Sequence, residues 1–302
     1  MRMLREVASR GGIAAAAEAL FMTPSAVSQQ MSVLEREAGV ALLERSGRGV
    51  KLTEAGRRLV GHTERVLATL EEAQAELAAI SHGVAGRLHA SAFPTAARAL
   101  MVPVLARLRE LHPRLAVAMT DLEPEESIPA LKTGELDIVL TYEFDHLPEP
   151  EDPGVERHIL LTEPIYIALP ASHPHARGPL TIADLRGTDW VVGRDGSPFL
   201  DVVVRVANEA GYQPRIDVQS NDYQVILAAV QAGLGVTLVP PLAFFVEYPG
   251  VVYRLPDDMN IHRRVVAAIR RGSGEAPAIA AALDLLLDVA KEIESTAGFR
   301  EP

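Results

Sequence analysis

Between residues 23 and 38 the sequence TPSAVSQQMSVLEREA carries two faces of different chemistry. At about 100° per residue, Val27, Met31, Leu34 and Ala38 fall on one side, and Ser25, Ser28, Gln29, Ser32 and Arg36 fall on the other. A helix face that meets only water is usually dressed in Lys and Glu. Short hydroxyls and an amide instead supply donors and acceptors for base edges in a DNA major groove. Thr23 and Pro24 open the segment and belong to the same surface. A little further on, Arg45, Arg48 and Lys51 surround a turn punctuated by Gly47 and Gly49. Cations placed there meet phosphates or a minor groove, adding affinity with little base discrimination. A small polar surface helix followed by a solvated turn is the plainer alternative. Arg45, next to Glu44, could equally form a local ion pair.

Catalytic chemistry is missing from the sequence pattern. No nucleophile is spaced against a base, and neither a P-loop nor a G-x-S-x-G elbow occurs. Gly233-Leu234-Gly235 lacks the further glycine and helix of a dinucleotide fingerprint. His173-Pro174-His175 has no matching carboxylate or thiolate pattern, so no metal is expected. The reading is therefore of a protein that is not an enzyme, with no catalytic residues and no cofactor. With no cysteine, neither a disulfide framework nor a thiolate metal site is available, which fits a reducing cytoplasm. No apolar run reaches the ~18 residues of a membrane span, and the N-terminus has no signal-peptide pattern. A soluble cytoplasmic protein without membrane contact is expected.

Three short helices must position the reading face. The first begins almost at Met1 and is broken by Gly11-Gly12, and IAAAAEAL (13–20) has the small side chains for close helix packing. Thr23 as N-cap with Pro24 at the first helical position starts the third helix, and Gly39 ends it. The stretch VALLERSGRGVKL then predicts a basic two-stranded hairpin, and Thr53 can cap a long helix over about 54–81. Along that helix Leu59, Thr63, Val66, Leu70, Ala73, Leu77 and Ile80 are spaced 4, 3, 4, 3, 4, 3. This heptad seam predicts pairing with a second copy, with packing on the chain's own body as the alternative.

HGVAG (82–86) predicts a hinge, beyond which strands and helices alternate. LHASAF, LAVAMTDL and LDIVLTY, separated by helices over about 95–111 and 128–133, give a parallel α/β unit. The acidic, proline-rich 143–154 predicts a loop. IYIAL, DWVVG, IDVQS and GVTLV with helices at about 199–210 and 223–232 form a second unit, with a capping box at TIAD (181–184). VVAAIR and the helix at about 276–294 return to the first unit. The fold class is thus α/β with an all-α-type winged head. The expected domains are 1–53 (DNA-binding), 54–81 (linker and dimerisation), 82–86 (hinge) and 87–302 (two lobes). Lobe I is placed at about 87–161 and 268–302, and lobe II at about 162–267.

Charge supports this division. The 302 residues carry a net charge of −11, which argues against nucleic acid until its distribution is seen. Residues 1–58 hold nine Lys/Arg against six Asp/Glu, and the remainder 20 against 34. A basic head on an acidic body puts one end on a polyanion and keeps the rest dissolved.

The order LREVASRGGIAAAAEALFMTPSAVSQQMSVLEREAGVALLERSGRGVKLTEAG resembles the winged helix-turn-helix of LysR-type transcriptional regulators over essentially the whole first sixty residues. ASAFPTAA, GELDIVLTY, LPASHP, TIADLRG and QAGLGVTLVP resemble the family's effector domain more loosely. The resemblance implies a double-stranded DNA operator, a linker-helix dimer (Leu59, Val66, Leu70, Leu77) or tetramer, and RNA polymerase as a further partner. It also implies a periplasmic-binding-protein-like domain that closes on a small metabolite. Two positions depart from the family pattern. Pro24 stands where Gln is common and offers only apolar contact, as to a thymine methyl, and Gln29 stands where Arg is frequent and suits adenine better than guanine. The chain also starts several residues later than is usual, so a short first helix or a start upstream of Met1 is expected.

For the effector, the resemblance points to Phe93, Pro94 and Thr95 after the first strand, with Tyr142 at the end of another. Across the cleft it points to Gly193, Arg194 and Ser197, and to Asn221 and Asp222. Hydroxyls, amides and Arg194 suggest a small carboxylate or polar metabolite, although each residue could be serving ordinary capping or turn chemistry. The reading is a sequence-specific transcriptional regulator controlled by a small molecule. The alternative is a small-molecule-binding or transport-type protein with an accessory helical head.

Overall fold

A computed structural model of the chain describes residues 2–46, 49–81, 83–145, 147, 152–244 and 247–297. The head comprises α1 (Arg2–Ser9), α2 (Ile13–Ala19), α3 (Pro24–Ala38) and the hairpin β1 (Leu43–Ser46) and β2 (Gly49–Leu52). Leu4, Val7, Ala16, Ala17, Val27, Met31 and Leu42 form its core, so the apolar side of α3 is buried and its polar side faces out. Thr23 is extended and its Oγ1 accepts the Ala26 N–H at 3.2 Å, while Gly39 closes the helix at φ 69°. Glu35 ties the wing to α3, its Oε1 accepting the N–H groups of Leu42 (2.8 Å) and Leu43 (3.0 Å). Phe21, in the turn before α3, takes φ 52° with its side chain 99% exposed, a conformation that bulky residues rarely adopt.

Helix α4 (Glu54–Ser81) leaves the wing through Thr53, whose Oγ1 accepts the Gly56 N–H and donates to Ala41 O. Gly56 is required there, because a Cβ would lie 2.2 Å from the Leu42 carbonyl oxygen. Leu59 packs on the head core and Thr63 is buried, but Val66, Leu70 and Leu77 lie more than half exposed along one face. The side chain of Ile80 lies outside the described residues.

Lobe I has a five-stranded sheet in the order β4-β3-β5-β12-β6, built from β3 (Gly86–Ala92), β4 (Leu115–Asp121), β5 (Ile138–Phe144), β6 (Val155–Pro164) and β12 (His262–Arg270). The helix between β3 and β4 runs through α5 (Pro94–Ala96), a π-helical turn (Ala97–Met101) and α6 (Val102–Leu111). Pro103 has no N–H to continue the ordinary ladder, and a π turn absorbs such a defect. α7 (Pro124–Thr133) joins β4 to β5, and α10 (Pro277–Ala297) packs against α6.

Lobe II contains β7 (Tyr166–Pro170), β8 (Asp189–Val192), α8 (Pro198–Glu209), β9 (Arg215–Gln219), α9 (Tyr223–Gln231), β10 (Thr237–Val239) and β11 (Val251–Arg254). β10-β7-β11 and β8-β9 are joined by the Trp190–Val236 bridge, giving the order β9-β8-β10-β7-β11. Lobe I thus sets β12, which follows lobe II in the chain, antiparallel beside its third parallel strand β5, and lobe II sets β7 antiparallel beside β10. The sequence reading lacked β6 and β11. It also placed the lobe boundaries at 161/162 and 267/268, whereas β6 pairs through Pro164 and β12 begins at His262. Apolar alternation is poor at both strand ends, where Glu163 and Arg263 satisfy each other inside the protein.

The linker helix meets lobe I through charge. Glu64, almost wholly buried, pairs with Lys132 Nζ at 2.7 Å, and Lys132 also donates to Asp152 at 2.9 Å. Burial pulls the Lys132 ammonium downward, but its two carboxylate partners outweigh that and hold its pKa above the ordinary value. Glu71 pairs with Arg270 at 3.2 Å and Arg10 with Glu135. Replacing Lys132 by Met would strand Glu64 against apolar surroundings. Lys132→Met should cost on the order of 2 kcal/mol in urea unfolding, less than a fully enclosed pair because Asp152 stays partly wet. An unchanged midpoint would show that the pair contributes nothing to holding helix and lobe together.

Candidate DNA-reading face and inter-lobe cleft

All the predicted reading residues on α3 lie at the surface: Thr23, Pro24, Ser25, Ser28, Gln29, Ser32 and Arg36 are exposed. They are not equally free. Thr23 Oγ1 is engaged by the Ala26 amide and lies 3.1 Å from Ser25 Oγ. Ser32 Oγ donates back to Ser28 O, and Arg36 Nε donates to Ser32 O. Ser28 and Gln29 make no side-chain hydrogen bond to a described residue, and exposed Gln30 joins them, a residue the two-face pattern left out. In the wing, Glu44 sits opposite Lys51 and Arg45 opposite Val50, with Arg45 and Lys51 exposed. Arg45 makes no ion pair with Glu44, and Arg48 lies outside the described residues.

The second site is the cleft between the lobes, open at its mouth and enclosing a cavity of about 30 Å³. Of the residues named for the effector, Phe93, Pro94, Thr95 and Tyr142 line it from lobe I, and Ser197 and Asn221 from lobe II. Gly193, Arg194 and Asp222 support the lining without joining it. A Cβ on Gly193 would lie 2.2 Å from Ser197 Oγ, so the glycine lets the α8 cap approach. Arg194 is exposed; its backbone N–H donates to Asn221 Oδ1 at 2.9 Å. Asp222 caps α9 by accepting the Gln224 N–H. The cation on which the carboxylate expectation leaned is therefore not in the cleft.

Four lining residues that the sequence did not mark as effector-binding shape the chemistry: Glu123, Phe199, Tyr223 and Arg263. Arg263, 2% exposed, bonds Glu163 Oε1 through Nε (2.8 Å) and Nη2 (2.6 Å), and Nη2 also donates to Thr95 Oγ1 at 3.3 Å. Glu163 in turn accepts the Leu242 N–H of lobe II at 2.9 Å. The guanidinium lies over the rings of Phe93 (5.2 Å) and Tyr142 (5.5 Å), which meet edge to face. Phe199 and Tyr223 form the opposite wall, 5.5 Å apart. Burial, followed by the charges of Glu125 and Asp121, pushes the Glu123 carboxyl up to about 7 against the pull of Arg263. Burial likewise raises the hydroxyls of Tyr142 and Tyr223.

An exposed hydrogen-bonding helix on a helix-turn-helix head, joined to a two-lobed body with a cleft, defines a ligand-responsive DNA-binding protein. The comparisons agree. The family model described as "Bacterial regulatory helix-turn-helix protein, lysR family" matches residues 1–57, and "LysR substrate binding domain" matches 81–291. The transcriptional dual regulator GltC of Bacillus subtilis (strain 168) is 26% identical over 273 residues, 89% of each chain. The regulator TcbR of Pseudomonas sp. (strain P51) is 29% identical over 250 residues, 82% of this chain and 83% of its own. The crystal structure of full-length CbnR complexed with its target DNA covers 95% of this chain and 98% of its own at 25% identity, TM-score 0.55. The chain belongs to the LysR family of transcriptional regulators, DNA-binding proteins with an effector-binding domain and not enzymes. Among the described residues no helix is long and apolar enough to cross a membrane, and no group of three His, Asp or Glu could hold a metal.

Arg263→Leu should destabilise the chain by about 3–5 kcal/mol, because it leaves Glu163, 0% exposed, buried and unpaired. The double variant Arg263→Leu/Glu163→Leu should recover much of that loss. Urea unfolding of both singles and the double measures the coupling, and strictly additive losses would show that the two charges are not coupled.

Proposed function

We propose that α3 reads an operator through Ser28 and Gln29, with Arg45 and Lys51 holding the flanking backbone, and that a metabolite bound between the lobes controls the complex. The observation carrying this is that Ser28 and Gln29, with Gln30, are exposed on α3 with unused hydrogen-bonding groups, among neighbours already engaged by their own helix. A related regulator solved with its target DNA supports the same use of the head. Two copies pair along the Val66-Leu70-Leu77 face of α4, which is apolar and exposed in the single chain. That dimer presents two reading helices to half-sites about one helical turn, or a multiple of it, apart. Tetramers form from such dimers, and the protein works in the cytoplasm. The units are the head to residue 53, the linker helix over 54–81, a hinge over 82–86 and the two lobes beyond.

A gel shift with the gene's own upstream fragment should give salt-dependent retardation that scrambled DNA does not. Gln29→Ala should relax preference at one base position by about 1–3 kcal/mol, whereas Lys51→Ala should weaken all sequences alike. An unchanged base preference in Gln29→Ala would mean that another part of the head reads the site. Leu70→Asp should lower the assembly state on size-exclusion chromatography, and an unaltered elution volume would exclude this seam.

A further inference from the structure

Tyr142 is 7% exposed, lines the cleft, and makes no hydrogen bond to a described residue through its hydroxyl. Glu123 lines the same space, and its carboxyl group forms neither a hydrogen bond nor an ion pair with a described residue. Both groups lack a protein partner among the described residues, so a ligand can supply one. Their chemistry says which ligand. A carboxylate accepts, and a phenol can accept or donate.

The surrounding charges choose the sign. Asp121, Glu125 and Glu126 act on Glu123 from its own segment, Arg263 from β12, and the hydroxyls of Tyr142 and Tyr223 from β5 and α9. Among these groups only Arg263 is cationic, and Glu163 neutralises it through two short hydrogen bonds. An anion entering here would meet the Glu123 carboxylate and a guanidinium already paired with Glu163. A cation would meet an unpaired carboxylate, between aromatic walls whose π-faces attract positive charge.

We infer that the effector of this chain is a small organic cation, a protonated amine on a ring-sized apolar body, with Glu123 as its counter-charge and the Tyr142 hydroxyl as its second acceptor. The inference rests on the cleft being the effector site. It replaces the carboxylate suggested by Arg194, whose side chain stands outside the cleft.

The linkage has a defined direction. An ammonium needs Glu123 ionised, and burial has raised that carboxyl to about 7. Cation affinity should therefore rise by about tenfold per pH unit below 7 and level off above it. An anion that needs Glu123 protonated would show the reverse, weakening as pH rises past 7.

Isothermal titration calorimetry on the full chain with benzylammonium, benzoate and benzyl alcohol, matched in size, separates the cases. At pH 8 benzylammonium should bind about tenfold or more tighter than benzoate. It should weaken toward pH 6, and Glu123→Gln, which keeps the shape, should erase the preference. Asn221→Trp, which fills the mouth from lobe II, should weaken benzylammonium in a chain whose urea midpoint shows that it is folded. If benzoate binds tighter, if benzylammonium gives no binding, or if the preference survives Glu123→Gln, the cationic class is overturned. In those cases weaker binding of another probe to Asn221→Trp would still support the cleft as the site. If benzylammonium and the other probes bind Asn221→Trp as they bind the parent, the cleft reading itself fails and the inference falls with it.

Discussion

The pair Arg263–Glu163 is the constraint around which the ligand-binding half is organised. It lies where β12 and β6, directly opposite in register, leave lobe I for lobe II. Burying two charges costs several kcal/mol each unless geometry and further hydrogen bonds compensate. Here the compensation comes from separate elements. Glu163 takes two bonds from the guanidinium and one from the Leu242 amide in lobe II, and Arg263 gives one to Thr95 at the start of the first lobe I helix. Neither lobe can shift far from the other without disturbing a partner of this pair. The cleft is thus framed by groups whose positions are mutually dependent, and its one lining cation is held away from ligand by a carboxylate of the same chain.

Strand β12 extends that dependence to the linker. Its first part carries Arg263 into the cleft, and its last residue, Arg270, bonds Glu71 of α4, Asp137 and the carbonyl oxygens of Leu131 and Leu136. Seven residues of strand span roughly 24 Å at ~3.4 Å per residue. Lys132, itself bonded to Asp152, holds Glu64 of the same helix nearby. The effector cleft and the helix that carries the DNA-binding head therefore stand at opposite ends of one central strand, hydrogen-bonded on both sides along its length. A ligand that favours one lobe arrangement acts on an element already fastened to the linker.

What the sequence disclosed follows the range of the interactions concerned. Capping is local, so Thr23-Pro24 and Gly39 bracket α3, and Thr181 with Asp184 forms the capping box read from four letters. Heptad spacing is also local, and the exposed Val66, Leu70 and Leu77 retain it in the folded chain. Non-local pairing was not legible. VERHILLTEP lacks clean alternation because it lies second-neighbour to the parallel strands and ends in a buried acid, so β6 went unread. Glu123 stands among other acids in DLEPEE and Arg263 beside Arg264 before VVAAI, so neither is distinguished by its neighbours in sequence. Only the fold brings them within one cleft. Conversely, the resemblance pointed to Arg194 as a ligand cation, yet its backbone amide bonds Asn221 and its side chain is exposed.

The neutrality of α3 can be understood in the same terms. Phosphate attraction is long-ranged and indifferent to sequence, so cations on the reading face would bind every DNA nearly as well as the operator. Moving them to the wing leaves the face to groups that act only at hydrogen-bonding distance. Even there, the helix removes most hydroxyls from competition: Thr23 caps, Ser25 leans on Thr23, and Ser32 bonds the Ser28 carbonyl. Discrimination is concentrated in the few side chains with nothing else to bond. A hydroxyl is tolerant of several bases, whereas a carboxamide presents a donor and an acceptor in fixed relation and suits adenine. On the proposed reading Gln29, more than the serines beside it, would set what the helix can reject.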